Sequence, residues 1–415
     1  MNKILSKTQL LGYGALGVPV AFVGLPIYVH LPHYYATTHG LDLALIGIIL
    51  LLVRLFDALQ DPLIGFYSDK THHSNRRLML CALPLLTISF IALFSPPELS
   101  HNWLVAWLVA SLLLTYTAFN MVMINYFASS TLLPQYVEKT TLIAGVREGA
   151  MLLGVVIAAA APALLQQKYS ADIAFRYFAL CFVPLAIIGA IGINYSLRRC
   201  DNQGEKHAHS DGFKLSDVKL LRPLLPLYAL FLANSLPVSI TSTLFLFYVE
   251  DYLKSPAQSG YFLLCFFVSA AASVPIWVWL SGKIGNWVAL RIGMAMAIAS
   301  FICTIFLQGG DVSGFYIVCA VSGFAVGGDL TLLPAIFTVA IANHQRLSAS
   351  AFSIWHFLAK FNLALAAGLL LPLLSYFGYQ PKMIGSNGIL LVFYAIIPCS
   401  IKVIALLLTY NKKLH

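Results

Sequence analysis

Apolar residues in this chain run in blocks of roughly 20, the length that carries a helix across a bilayer core. Polar positions collect in the short gaps between the blocks. The pattern predicts twelve helical segments at about 9–32, 42–66, 77–95, 102–131, 141–165, 173–197, 221–249, 257–281, 287–307, 313–341, 347–375 and 384–410. One gap is longer than the rest and reads RRCDNQGEKHAHSDGFK. It divides the chain into a six-helix bundle at 1–197, a central loop at 198–220 and a second six-helix bundle at 221–415. Six spans on each side of a polar loop is the layout of two repeated halves. The expected fold class is therefore an all-α polytopic membrane protein, with 12 transmembrane helices in two six-helix bundles. The first block follows two lysines and has no small-residue cleavage site, so it is expected to be a retained helix and not a removed signal peptide.

Composition sharpens this picture. Hydrophobic residues make up 60% of the 415 positions and charged residues 10%, against about 25% charged in soluble domains. That excludes a cytosolic globular enzyme, a disordered chain and a secreted disulfide scaffold. The net charge of +9 would suggest nucleic acid only if the basic residues formed a patch, and they do not. No partner is expected beyond a small-molecule substrate and membrane lipid, and the working unit is expected to be a monomer. The 7 cysteines are scattered singly, and no His/Cys spacing matches a metal site. No cofactor is expected.

Basic residues set the orientation. Of the 25 Lys and Arg, four lie within spans (Arg54, Arg147, Lys360, Lys402) and four in the connections on one side (Lys168, Arg176, Lys254, Lys382). The remaining 17 lie in the segments on the side of the N-terminus. The positive-inside rule then predicts a multi-pass protein of the inner (cytoplasmic) membrane with both termini in the cytoplasm. The connection after span 2 reads Gly65-Phe-Tyr-Ser-Asp69-Lys70, then Arg76-Arg77. It resembles the G-x-x-x-D-[RK]…R-R loop of the major facilitator superfamily. An acid at the end of span 2 with nearby arginines can lock neighbouring helices in one state of a rocking cycle, which makes Asp69, Arg76 and Arg77 candidate gating residues. Plain topogenic charge is the competing reading.

Ionisable groups inside a bilayer cost at least about 2.5–3.5 kcal/mol each at a helix centre and point to function. Span 2 carries Arg54, Asp57 and Asp61 in VRLFDALQDPLIG. At 3.6 residues per turn, Asp57 lies about 60° and Asp61 about 20° from Arg54, so all three are expected on one face. The carboxylates are about 6 Å apart along the axis and repel unless a cation or a proton sits between them. Pro62 frees a carbonyl in the preceding turn and offers one more oxygen. The competing reading is a structural Arg54–Asp57 pair.

Other polar positions follow. In span 5, Arg147 either anchors a polar substrate or snorkels to the interface. Glu148 is one position on, is not expected to share a face with it, and is assigned to packing or gating. Span 11 carries Lys360 at mid-depth, where it needs an acidic partner such as Asp57 or Asp61, and Trp355, which either stacks on substrate or packs. Span 10 contains Gly327-Gly328-Asp329 with Pro334 a turn later. Asp329 is expected to be a second-half gating charge or the cap of an interrupted helix. Span 4 is rich in polar residues, with Thr117 and Asn120 at i, i+3.

These residues resemble a known family. RLFDALQDPLIGFYSDKT in span 2 is similar to the signature of the glycoside–pentoside–hexuronide:cation symporters, the melibiose-permease-like branch of the major facilitator superfamily. TYTAFN, GVREG, GGDLTLLP and the W-x-x-x-x-K-x-x-L-A-L-A-A-G-L run of span 11 extend the resemblance over both halves. It implies a cation site at Asp57 and Asp61 with an oxygen from Thr117, and sugar contacts from Asn120, Arg147 and Lys360. Arg54 and Trp355 complete the expected substrate set. Two departures stand out: span 1 has no acid, and the family's span 4 Asp is Asn120 here. The expected function is secondary active transport, Na+- or H+-coupled symport of a small polar solute such as a glycoside. The alternative on the same fold is a proton-driven exporter, or a transporter of a lipid-, drug- or siderophore-like compound. A membrane-embedded enzyme would need a nucleophile–base set or metal ligands at depth, and the sequence shows neither; no metal is expected beyond Na+ at Asp57 and Asp61.

Overall fold

A computed structural model of the chain describes residues 6–31, 34–35, 38–70, 75–98, 100–133, 137–198, 221–342, 347–377 and 387–410. Most of the expected central loop lies outside the described residues. Each of the twelve apolar segments is helical. The helices are α1 (Lys7–Ala15), α2 (Gly17–Val29), α3 (Leu43–Lys70), α4 (Asn75–Phe94), α5 (His101–Ser129), α6 (Val137–Gln166) and α7 (Ala171–Leu197). They continue with α8 (Leu225–Phe247), α9 (Ser259–Ile284), α10 (Asn286–Ile302), α11 (Val312–Ile341), α12 (Ser348–Tyr376), α13 (Asn387–Leu391) and α14 (Ile397–Leu408). Among the described residues, 9 helical stretches are long and apolar enough to cross a membrane. No strand occurs among the described residues.

Several segments differ from one continuous α-helix. The first is broken at Leu16 into α1 and α2. The last carries a π turn at Val392–Ile396 between α13 and α14, and a second π turn, Tyr248–Tyr252, ends α8. Such turns hold one extra residue and mark sites where the helix register is adjusted.

The chain forms two compact units. The first contains 1–136, 146–219 and 341–357; the second contains 137–145, 220–340 and 358–415. Within the first unit, α4 packs on α5 and α7, α1 on α7, and α3 on α5. Its centre is aromatic: Phe22 stacks on Phe178 at 4.7 Å, with Phe90 and Phe182 around them. Gly154 lets α6 approach so closely that a Cβ there would run into the Val18 carbonyl, the close helix contact that small residues permit in membranes. In the second unit α14 packs on α8 and α10. There the two π turns meet through Tyr248 and Tyr394, whose rings stack at 4.1 Å and 11°.

α3 is two-faced. Leu51, Leu55, Leu59 and Leu63 are exposed on one side, at the i, i+4 spacing of a single helical stripe. Val53, Asp57, Gln60, Asp61, Ile64 and Ser68 are buried on the other. The exposed leucines are the surface a lipid tail would cover, and the buried stripe is where the site lies.

Candidate cation and substrate site

The buried stripe of α3 meets the polar stripe of α5. Asp57 is 3% exposed and Asp61 is fully buried. Asn120 donates from Nδ2 to Asp57 Oδ1 at 2.6 Å, and Gln60 Nε2 lies 3.4 Å from the same oxygen. Thr117 Oγ1 donates to Gln60 Oε1 at 2.9 Å and also lies 2.7 Å from the Leu113 carbonyl. One carboxylate thus faces two amide donors, and the hydroxyl reaches it through the glutamine. Further along the same seam Asn125 Nδ2 donates to Ser68 Oγ at 3.0 Å.

Asp57, Asn120 and, through Gln60, Thr117 are therefore brought together. Gln60 was not singled out. It stands at i+3 from Asp57 on the buried face, and that spacing was the available signal. Arg54 lies about 20° from Asp61 on the same side of the helix, and it is exposed where both acids are buried. The buried stripe is narrow, running through Val53, Asp57 and Asp61, and Arg54 lies at its edge, about 100° beyond Val53.

Arg147 and Glu148 correct two expectations. Arg147 is fully buried, so it does not snorkel. Its Nε and Nη2 donate to Glu148 Oε1 at 3.0 and 2.9 Å, so the neighbours do pair. Adjacent helical positions point about 100° apart, but the four-bond reach of arginine closes that angle when burial forbids every wetter arrangement. The guanidinium also sits 3.5 Å from the centroid of the Phe127 ring, a cation–π contact strengthened by the absence of water. Phe127 in turn packs on Phe352 and His356, at 5.7 and 4.6 Å. Beside this cluster Tyr13 and Tyr126 bond reciprocally, each phenol donating to the other's main-chain carbonyl at 3.0 and 2.8 Å.

Asp69 lies just past the apolar segment of span 2. Its carboxylate accepts from the main-chain N–H groups of Ala349 and Ser350 at 3.1 and 2.7 Å. These are N-terminal amides of α12, where the first turn leaves donors free and the helix dipole favours an anion. Burial nevertheless dominates and pushes the Asp69 carboxyl up to about 7, against the pull of those two N–H donors. Arg76 donates to Asn194 Oδ1 at 2.6 Å, and Arg77 is exposed. Gly65, one turn before Asp69, makes the approach possible: a Cβ there would lie 2.8 Å from the Ala349 carbonyl and closer still to Ser353. Gly65→Val is expected to destabilise the first unit by about 1–3 kcal/mol by overpacking, and differential scanning of the variant in detergent checks it.

Of the remaining candidates, Trp355 is buried and Lys360 is half-buried. Asp329 does not cap an interrupted helix, because α11 runs unbroken through Pro334. It pairs instead with Lys402 of α14, with Nζ 2.5 Å from Oδ2. Lys402 carried no assignment, although a lone lysine in an apolar run was the signal for it.

Two buried acids on α3, Asn120 of α5 donating to one of them, and 9 helical stretches of membrane-crossing length among the described residues are the features of a membrane protein. The chain matches the family described as MFS/sugar transport protein over residues 10–415 and belongs to it. It is a transporter on the major facilitator fold and not an enzyme. It is 24% identical to the uncharacterized symporter YnaJ of Bacillus subtilis over 98% of this chain and 91% of that protein. It is 23% identical to the sodium-dependent lysophosphatidylcholine symporter 1 of Gallus gallus, over 91% of this chain and 80% of the other. A bacterial homologue of the iron transporter ferroportin, in an outward-facing state, shares the fold with a TM-score of 0.71, at 15% identity over 98% of both chains.

Proposed function

We propose that this chain is a cation-coupled symporter of the inner membrane, with both termini in the cytoplasm, and that Asp57 and Asp61 hold the coupling ion, Na+ or H+. The carrying observation is that two carboxylates one turn apart are both buried on one helix face. Like charges so placed are stable only when a cation or a proton offsets them. Two six-helix halves, 1–197 and 221–415, alternate access to the substrate. Asn120, Arg147, Lys360, Trp355 and Arg54 are the substrate set, with Arg147 acting together with Glu148. Asp69, with Arg76 and Arg77, holds one end of the cycle by clasping the start of α12, while Glu148 and Asp329 fix charges that the cycle must keep paired.

The substrate class follows from the family's description as sugar transport and from neutral ligands of the Asn120 and Thr117 kind, which suit hydroxyl groups. The reading is a small polar solute such as a glycoside. An amphiphile is the second reading. It is favoured by the relative that carries lysophosphatidylcholine and by a first span, residues 9–32, that contains no acid.

Ion-dependent thermal stability of the purified carrier tests the site. Added Na+, or a change of pH, is expected to shift the melting temperature of the wild type, and Asp57→Asn and Asp61→Asn are each expected to abolish that response. A wild type indifferent to both ions, or a response that persists in both variants, would make the pair structural. Because binding couples to stability as RT ln(1 + [L]/Kd), a tenfold rise in saturating ion adds about 1.4 kcal/mol.

A further inference from the structure

The second unit contains a charged group that the ion site above does not use. Lys402 is 4% exposed, Asp329 8% and Asn234 2%. The Lys402 ammonium donates to Asp329 Oδ2 at 2.5 Å and to the Asn234 main-chain carbonyl at 3.2 Å. Two further acceptors on the same pair of residues, Asp329 Oδ1 and Asn234 Oδ1, are buried with no hydrogen-bond partner. The ammonium thus has two oxygen partners, and each of the two residues that supply them keeps one further buried oxygen without a hydrogen-bond partner. Two prolines flank the arrangement. Pro398 follows the π turn of the last span by two residues and Pro237 lies inside α8. A cavity of about 30 Å³ lies between them, lined by Pro237, Thr241, Phe301, Pro398, Cys399 and Lys402 among others. That is room for about one water-sized group beside the ammonium.

We propose that Asp329 and Asn234 form a monovalent-cation site in the second unit, selective for a primary ammonium, which the native chain keeps filled with its own Lys402. A carboxylate and a main-chain carbonyl accepting from one ammonium are the chemistry of such a site, and the ammonium has three donors for the two acceptors that now hold it. The tethered cation compensates Asp329 permanently, so this site draws no ion from either side of the membrane. On the symport reading above, it is then separate from the coupling site at Asp57 and Asp61.

Chemical rescue tests this. Lys402→Ala empties the site and enlarges the adjoining cavity, and its melting temperature is expected to fall. Millimolar methylammonium is expected to recover much of the loss, whereas tetramethylammonium, which has no N–H donor, is expected to recover none. In Lys402→Ala/Asp329→Asn methylammonium should have no effect, and Lys402→Met/Asp329→Asn supplies a folded, uncharged reference if the single variant proves too unstable to purify. In that event Lys402→Ala is purified with methylammonium present from cell lysis onward and loses its fold when the amine is dialysed away. The methylammonium response should survive in an Asp57→Asn background, which separates failure of this inference from failure of the ion-site assignment. A Lys402→Ala protein that ignores methylammonium, answers equally to tetramethylammonium, or answers in the absence of Asp329 would overturn it.

Discussion

Arg147→Ala is expected to destabilise the carrier by about 3–5 kcal/mol, the cost of removing one partner of a buried ion pair. The variant leaves the Glu148 carboxylate, 6% exposed in the native protein, without the two donors that now meet it at 2.9 and 3.0 Å. It also removes the cation above Phe127, and with it the support that this ring gives to Phe352 and His356. The loss is therefore expected in two readouts: a lower melting temperature in detergent, and loss of uptake in vesicles. The double variant Arg147→Met/Glu148→Leu should recover most of the stability, because apolar residues of similar volume replace a buried pair at little cost, but none of the transport. If Arg147→Ala costs no more than a surface ion pair, about 1 kcal/mol or less, then water reaches the pair and the cluster is not the closed unit described above.

Asp69 produces the second large effect, and it appears as a dependence on pH. The carboxyl is held at about 7 by burial, while an unfolded aspartate titrates near 3.9. Between those values the folded state keeps a proton that the unfolded state has lost. Stability must therefore fall as pH rises from about 4 to about 7, by at most about 4 kcal/mol at 1.36 kcal/mol per unit. Below about 4 and above about 7 this group contributes no slope. In Asp69→Asn the decline should vanish, since the amide oxygen still accepts from one N–H of Ala349 or Ser350 but carries no titrating proton. Thermal unfolding from pH 4 to pH 8 in wild type and variant checks this; parallel curves would remove Asp69 as the source.

The reading of span 2 shows what a sequence can give. Asp57 and Asp61 are four apart, and that spacing alone puts two acids on one face. The same arithmetic puts Arg54 beside them but does not give its exposure at the edge of the buried stripe, because helix geometry gives an angle and not the width that neighbours cover. Asn120 was legible as a polar residue in an apolar helix, although its donation to Asp57 was not, since that depends on how α5 lies against α3. Arg147 and Glu148 failed for another reason: the rule that adjacent positions diverge holds for short side chains in water, and burial overrides it for a long one. The Lys402–Asp329 pair joins residues 73 apart in sequence. Each was visible as a lone charge in an apolar run, and only tertiary contact could match them.

The clasp at Asp69 has a consequence for comparing relatives. Its receiving end is the main chain of residues 349 and 350, and every amino acid except proline supplies that N–H. The main-chain part of the clasp therefore does not depend on which side chains stand at 349 and 350, although both are fully buried and so bounded in size. In a set of related chains the clasp would leave its trace as small residues and a scarcity of proline at these two sites.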